Sequence, residues 1–125
     1  MIIAGIGCRR QGSAEWVQAA IDAGLAQTGR GRADIAALAT SPARAAEPAI
    51  QSVAQTLGLR LITVSDADLT AAAPRCLSDS ARVRAATGLP SVSECAALAA
   101  AGPEARLLAP RTIHEGATCA LAETA

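Results

Sequence analysis

The chain contains no lysine, no phenylalanine and no tyrosine, and Trp16 is its only aromatic residue. Without aromatic side chains it lacks the platforms on which single-stranded nucleic acid stacks. Eleven basic residues, all arginines, balance eleven Asp and Glu, so the formal net charge is zero. That balance excludes the broad basic face of an electrostatic nucleic-acid binder, but not a local arginine cluster. No window is apolar for long enough to span a bilayer. The opening "MIIAGIGCRR" has neither the basic leader nor the apolar length of a signal peptide. The cysteines Cys8, Cys76, Cys95 and Cys119 are scattered and form no CxxC pair, a spacing that argues against zinc ligation and against a disulfide scaffold. The expectation is a cytoplasmic protein with reduced thiols, no metal, no cofactor, and neither nucleic acid nor membrane as partner. No pattern in the chain specifies an oligomeric state.

What is present fits one domain over residues 1–125. A chain of this length buries roughly two-thirds of its surface on folding, enough for a core without staples. The abundance of alanine fits a GC-rich coding bias. "IIAGIG" (2–7) reads as a buried strand, and Ser13 opens a helix with apolar residues at Val17, Ala20, Ile21 and Leu25. "DIAALAT" (34–40) and "LRLITVS" (59–65) read as strands on either side of a helix that Pro48 starts and Gly58 stops. Asp66 reads as the cap of a short helical turn. "SDSARVRAATG" (78–88) and "SVSECAALAAAG" (91–102) read as helices, the second with a capping box formed by Ser91 and Glu94. "ARLLAPRTI" and "ATCALAE" read as closing strands joined in a hairpin near His114 to Gly116. The resulting order, β-α-β-α-β-α-α-β-β, predicts a three-layer α/β domain. Its sheet is expected to be mostly parallel, with helices on both faces and a C-terminal antiparallel hairpin.

The stretch "GIGCRRQGSAEW" (5–16) places three glycines, a cysteine and two arginines between a strand and a helix. Gly5, Gly7 and Gly12 miss the dinucleotide spacing, because the third glycine comes two residues late. Gly7, Gly12 and Ser13 fit the frame of a phosphate-binding P-loop, but its lysine is missing. What remains is a loop at the carboxyl end of a strand, where helix N-termini and arginines favour carboxylates. An anionic ligand is the better match; a solvated turn with arginines facing water is the simpler one.

The same residues resemble the opening of the CobE family, equivalent to the C-terminal domain of CbiG, in cobalamin biosynthesis. That family starts with a strand and G-I-G-C-R-(K/R)-G-x-S-x-E-E-(I/L). Gly5, Gly7, Cys8, Arg9, Arg10, Ser13 and Glu15 largely reproduce it, with Gln11 inserted before Gly12 and Trp16 replacing the second glutamate. "TGLPSVSECAALAAAG" is similar to a second family stretch through Gly88, Ser91, Val92, Glu94 and Ala97. "LLAPRTIHEGATCALA" is similar to its closing hairpin, with Arg111 where lysine is usual and Thr118 in the last strand. In a weaker middle motif Arg44 and Glu47 fit and Ala49 replaces a glycine.

The resemblance implies a role on the route to the corrin ring. For the stand-alone type it implies binding or handing on a precorrin or other tetrapyrrole intermediate, in company with other corrin-pathway enzymes. CbiG as a whole is associated with opening the ring-A lactone of a cobalt-precorrin with loss of a two-carbon fragment, and this chain matches only its C-terminal part. Three function classes follow: a polyanion-binding protein, a lactone hydrolase, and a non-catalytic interaction module. The first expects Gly5, Gly7, Cys8, Arg9, Arg10, Gly12, Ser13, Ser41, Ser91, Glu94 and Arg111 at the ligand, with backbone N–H groups near Gly7 and Ser13 as donors. The second needs Cys8 as nucleophile, at the end of a strand and next to arginine, where thiol ionisation is favoured, or a water activated by Glu47. Each has a plainer counterpart: a buried strand-closing thiol for Cys8, a first-turn carboxylate for Glu47, the cap for Glu94. Cys76, Cys95 and Cys119 read as core or helix-face residues.

Overall fold

The computed structural model describes residues 1–125. Strand β1 (Ile2–Cys8) is buried on both faces, as expected of a central strand covered by helices above and below. Its alternate residues Ile2, Ala4, Ile6 and Cys8 enter one core, with Val17, Ile21, Leu25, Ile50 and Val53. Ile3 enters the other, with Leu69, Cys95, Ala96, Ala97 and Leu98.

The first core lies under helices α1 (Ala14–Thr28) and α2 (Pro48–Leu57). In α1 the buried positions are Val17, Ala20, Ile21, Gly24 and Leu25, the spacing of one helical face. Ser13 caps its start by accepting from Glu15 N–H at 3.0 Å, and Gly29 (φ 70°) ends it where only a left-handed residue continues the chain easily. The second core lies under helices α3 (Asp66–Ala72) and α5 (Val92–Ala101). A Cβ on Gly5 would collide with the Ser93 carbonyl oxygen and the Ala97 nitrogen. The backbone of α5 therefore rests directly on β1, an approach its alanine-rich face permits.

The sheet runs β3 (Leu61–Thr63), β2 (Ile35–Thr40), β1, β6 (Ala117–Glu123), and then β4 (Arg106–Leu107). The strand β5 (Thr112–His114) also pairs with β6, beside the β6 residues that face the other end of β1. β1, β2 and β3 are parallel, whereas β6 is antiparallel to β1 from Ile2–Glu123 to Cys8–Ala117. The three-layer α/β domain with a terminal hairpin is as expected; the sheet is mixed, because β6 inserts next to β1 along its whole length. No helix is long and apolar enough to cross a membrane.

Four local expectations need correction. The segment read as one strand over 105–113 splits into β4 and β5, because Pro110 has no N–H for a ladder and Arg111 N–H is taken by Glu94 at 2.9 Å. The third strand is short, Leu61–Thr63. Ser65, not Asp66, caps α3, accepting from Asp68 N–H at 3.2 Å. The helix expected over 78–88 is α4 (Ala81–Thr87), preceded by an irregular strap, residues 76–80. No residue of α4 is buried.

Candidate functional site

The carboxyl ends of the parallel strands β1 and β2 open into a cleft of about 640 Å³. Ligand sites in open α/β sheets form at this end of the strands. β1 supplies Gly7 and Cys8, the loop behind it Arg9 and Arg10, and the turn after β2 Ser41, Ala43 and Arg44. The far wall is α4, with Arg82, Val83 and Ala86, and the start of α5, with Ser91 and Val92. The hairpin closes the third side through Arg111, Ile113, Glu115 and Thr118.

Charge separates here in a chain that is neutral as a whole. Arg9, Arg10, Arg44, Arg82 and Arg111 line the cleft with Glu115 as the single carboxylate. None of the five makes an ion pair; the salt bridges of the molecule use Arg30, Arg32, Arg84 and Arg106. Between the arginines stand small apolar groups, Ala43, Val83, Ala86, Val92 and Ile113.

Arg111 is held most firmly and satisfied least. Its backbone N–H donates to Glu94 Oε2 at 2.9 Å, while Nε and Nη1 of its guanidinium are buried without any hydrogen-bond partner. A buried donor left unpaired costs about 1–3 kcal/mol, more when charged. Acceptor oxygens brought to these atoms remove that cost with charge-assisted bonds.

Glu94 does not reach the cleft. It is 0% exposed, and its carboxylate is fully occupied. Oε1 accepts Leu77 N–H and Ser78 N–H at 2.8 Å each, and Oε2 accepts Ser78 O–H at 2.7 Å besides Arg111 N–H. The capping box is therefore half made: Ser91 Oγ accepts Glu94 N–H at 3.3 Å, but the Glu94 side chain turns away to the strap and the hairpin. Glu94 is a clamp that sets two walls of the cleft.

Gly5, Gly12 and Ser13 also lie off the cleft. Gly5 serves the contact with α5, and Ser13 caps α1. At Gly12 a Cβ would collide with Cys8 Sγ, so the loop folds tightly over that thiol. Several N–H groups of the loop expected to cradle an anion are spent within the protein. Arg9 N–H donates to Gly116 O at 2.9 Å, Gly12 N–H to Arg9 O at 3.1 Å, and Gln11 N–H to Glu47 Oε2 at 3.2 Å. Five guanidinium groups carry the positive charge of the site.

Cys8 lines the cleft, and its surroundings favour the neutral thiol. Burial pushes its pKa up, the Glu47 carboxylate adds to the rise, and Arg44 only partly opposes them. The apolar surroundings and the nearby acid outweigh the arginine, as the plainer reading of a buried strand-closing thiol expects. Arg44 instead spends its Nε–H on the Cys8 carbonyl oxygen at 2.7 Å. Glu47, the N-cap residue of α2, does not line the cleft. It tethers the first loop through Gln11, whose φ of 58° is a strained conformation that a fixed anchor stabilises. No group of three or more His, Cys, Asp or Glu is placed to hold a metal ion.

Of the residues singled out from the sequence, Gly7, Cys8, Arg9, Arg10, Ser41, Ser91 and Arg111 thus meet around one space. Arg44, which matched only the weak middle motif, and Arg82 are additions. Arg82 gave no signal, since "SARVRAAT" reads as an ordinary charged helix. Its place depends on the strap that Glu94 holds.

The family model described as "Cobalamin synthesis G C-terminus" matches residues 2–122. The chain is 39% identical to Protein CobE from Sinorhizobium sp over 121 residues, 97% of this chain and 79% of that protein. It is similar to the crystal structure of CobE, a protein from the cobalamin (vitamin B12) biosynthetic pathway. The TM-score is 0.91 at 39% identity, over 98% of this chain and 89% of the other. A second solved structure, cobalamin biosynthesis protein chiG from Agrobacterium tumefaciens str. C58, matches with TM-score 0.79 at 37% identity, over 100% of this chain and 99% of that one. With the family model, the relatives' sequences and the fold in agreement, the chain belongs to the CobE and CbiG C-terminal family of cobalamin biosynthesis proteins.

Proposed function

We propose that the cleft binds a carboxylate-rich tetrapyrrole intermediate of cobalamin biosynthesis and holds it for transfer, without itself carrying out chemistry on it. The observation that carries this reading is the buried, unpartnered guanidinium of Arg111 in a cleft with four further arginines and one carboxylate. A precorrin offers what these groups lack: acetate and propionate side chains around a broad apolar ring. The carboxylates pair with the arginines at the rim, and the ring lies over Ala43, Val83, Val92 and Ile113. The volume of about 640 Å³ falls in the range of about 300–1,000 Å³ typical of small-molecule sites.

The hydrolytic reading finds less support. A nucleophilic thiol needs a lowered pKa and a base held beside it; burial raises that of Cys8. His114, the only histidine, is exposed on β5 and is not among the cleft residues.

Titration with a late precorrin or a stable corrin polyacid, followed by absorbance, tests the reading. Saturable binding is expected for the polyacid, weakening as salt is raised and falling sharply in Arg111→Met. No binding by the wild-type chain, or equal binding of a corrinoid whose acids are all amidated, overturns it.

A further inference from the structure

Two sulfurs that stand 19 residues apart in the chain meet under the strap. Cys76 Sγ and Cys95 Sγ are 3.3 Å apart, and either can donate to the other. Cys95 is fully buried on α5, whereas Cys76 is partly exposed where the strap begins. Neither lines the cleft. The residues beside them are already joined, since Leu77 and Ser78 N–H donate to Glu94. The sulfur pair and the carboxylate therefore form two parallel links between the same segments, the strap and the first turn of α5. A disulfide needs the sulfurs at about 2.05 Å. Cys76 has an extended backbone (φ −68°, ψ 145°) outside any helix, so the strap is the part free to close the gap.

We propose that Cys76 and Cys95 form a reversible dithiol–disulfide site, oxidised by a peroxide, and that the disulfide fixes the strap that carries α4. The Cys76 thiolate, on the side that solvent reaches, attacks one peroxide oxygen. The O–O bond breaks, Cys76 becomes a sulfenic acid, and hydroxide leaves to take up the proton released from the pair. Cys95 sulfur then attacks Cys76 sulfur, the S–O bond breaks, and the hydroxyl departs as water with the Cys95 proton. In sum, two thiols and one peroxide give one disulfide and two waters, and a dithiol reductant reverses the bond by exchange. The contact lets the two sulfurs share one proton. A thiolate in the pair keeps its neighbour's S–H as a donor, which pulls Cys95 down and pushes Cys76 up. Transfer of that single proton across the contact moves the charge to Cys76.

The chain is well suited to the test, because trypsin cuts after arginine and puts Cys8, Cys76, Cys95 and Cys119 on four different peptides. Full-length protein treated with stoichiometric hydrogen peroxide should lose two hydrogens in mass. It should yield the linked peptides 76–82 and 85–106, and recover its thiols with dithiothreitol. Amide exchange over 77–87 should slow in the oxidised form. Cys76→Ser, on the partly exposed side, should lose none of its remaining thiols under the same treatment, and Cys95→Ala should lose only the Cys76 thiol, to a sulfenic acid that forms no link. The proposal is overturned by a link through Cys8 or Cys119, by Cys76 sulfinic acid without a link, by equal thiol loss in Cys76→Ser, or by unchanged exchange over 77–87. These readouts involve no corrinoid and are independent of the binding reading.

Discussion

Glu94 holds Arg111 by its backbone, accepting the amide N–H at 2.9 Å, and leaves the guanidinium unpaired. The carboxylate is used up on the strap and on the main chain, and no ion pair joins it to the arginine.

Glu94→Gln replaces one acceptor oxygen by an N–H₂ that faces a donor. The expected loss of stability is about 2 kcal/mol, from one broken bond and one donor left without an acceptor. Urea unfolding measures it. Because the same carboxylate positions α4 and Arg111, corrin polyacid affinity should fall as well, although residue 94 touches no ligand.

Arg111→Met should act in opposite directions on folding and binding. Removing buried donors that have no partner, at similar side-chain volume, should raise the stability of the ligand-free protein by about 1 kcal/mol. Polyacid affinity should drop by about tenfold or more, the worth of one charge-assisted pair. A thermal melt and a titration on the same variant decide it; reduced stability together with unchanged affinity would make Arg111 a structural residue.

Gly5→Ala should destabilise the fold by about 3 kcal/mol, since its Cβ meets backbone atoms of α5 that cannot rotate away. Gly7→Ala is expected to be milder, because its Cβ meets the Thr118 hydroxyl, the end of a side chain that can turn. Paired unfolding curves for the two variants check the contrast.

Cys8 alkylation should follow an apparent pKa above the ordinary thiol value of 9.0. Its raised folded pKa favours the neutral thiol. The associated stability is thus present below the unfolded pKa and is lost as pH rises through the folded value. Glu47→Gln removes one of the causes and should move the alkylation profile to lower pH. A Cys8 that reacts rapidly at neutral pH would restore the nucleophile reading.

Legibility in the sequence followed the range of the forces involved. The apolar run of β1 and the helical spacing from Val17 to Leu25 are local, and both elements lie where those patterns put them. The terminal hairpin turns on Glu115 (φ 53°) and Gly116, a signal carried by adjacent residues. The break between β4 and β5 was only half legible: Pro110 stands in the sequence, but Arg111 N–H meets an acid 17 residues away. The capping box misled for a related reason. Ser91 and Glu94 have the spacing, but Leu77, Ser78 and Arg111 together offer Glu94 a better set of donors than the helix start does. Arg9, Arg10 and Arg111 could be picked out because a family motif or a strand end marked them, whereas Arg82 owes its position to that same distant clamp.

The chain's reliance on arginine alone has an outcome for how its site behaves across acidity. Guanidinium groups keep their protons throughout the range in which proteins stay folded, so the attraction its arginines exert is a constant. Whatever variation with pH appears when a macrocycle is captured or let go must then be traced mainly to the acids on the macrocycle itself.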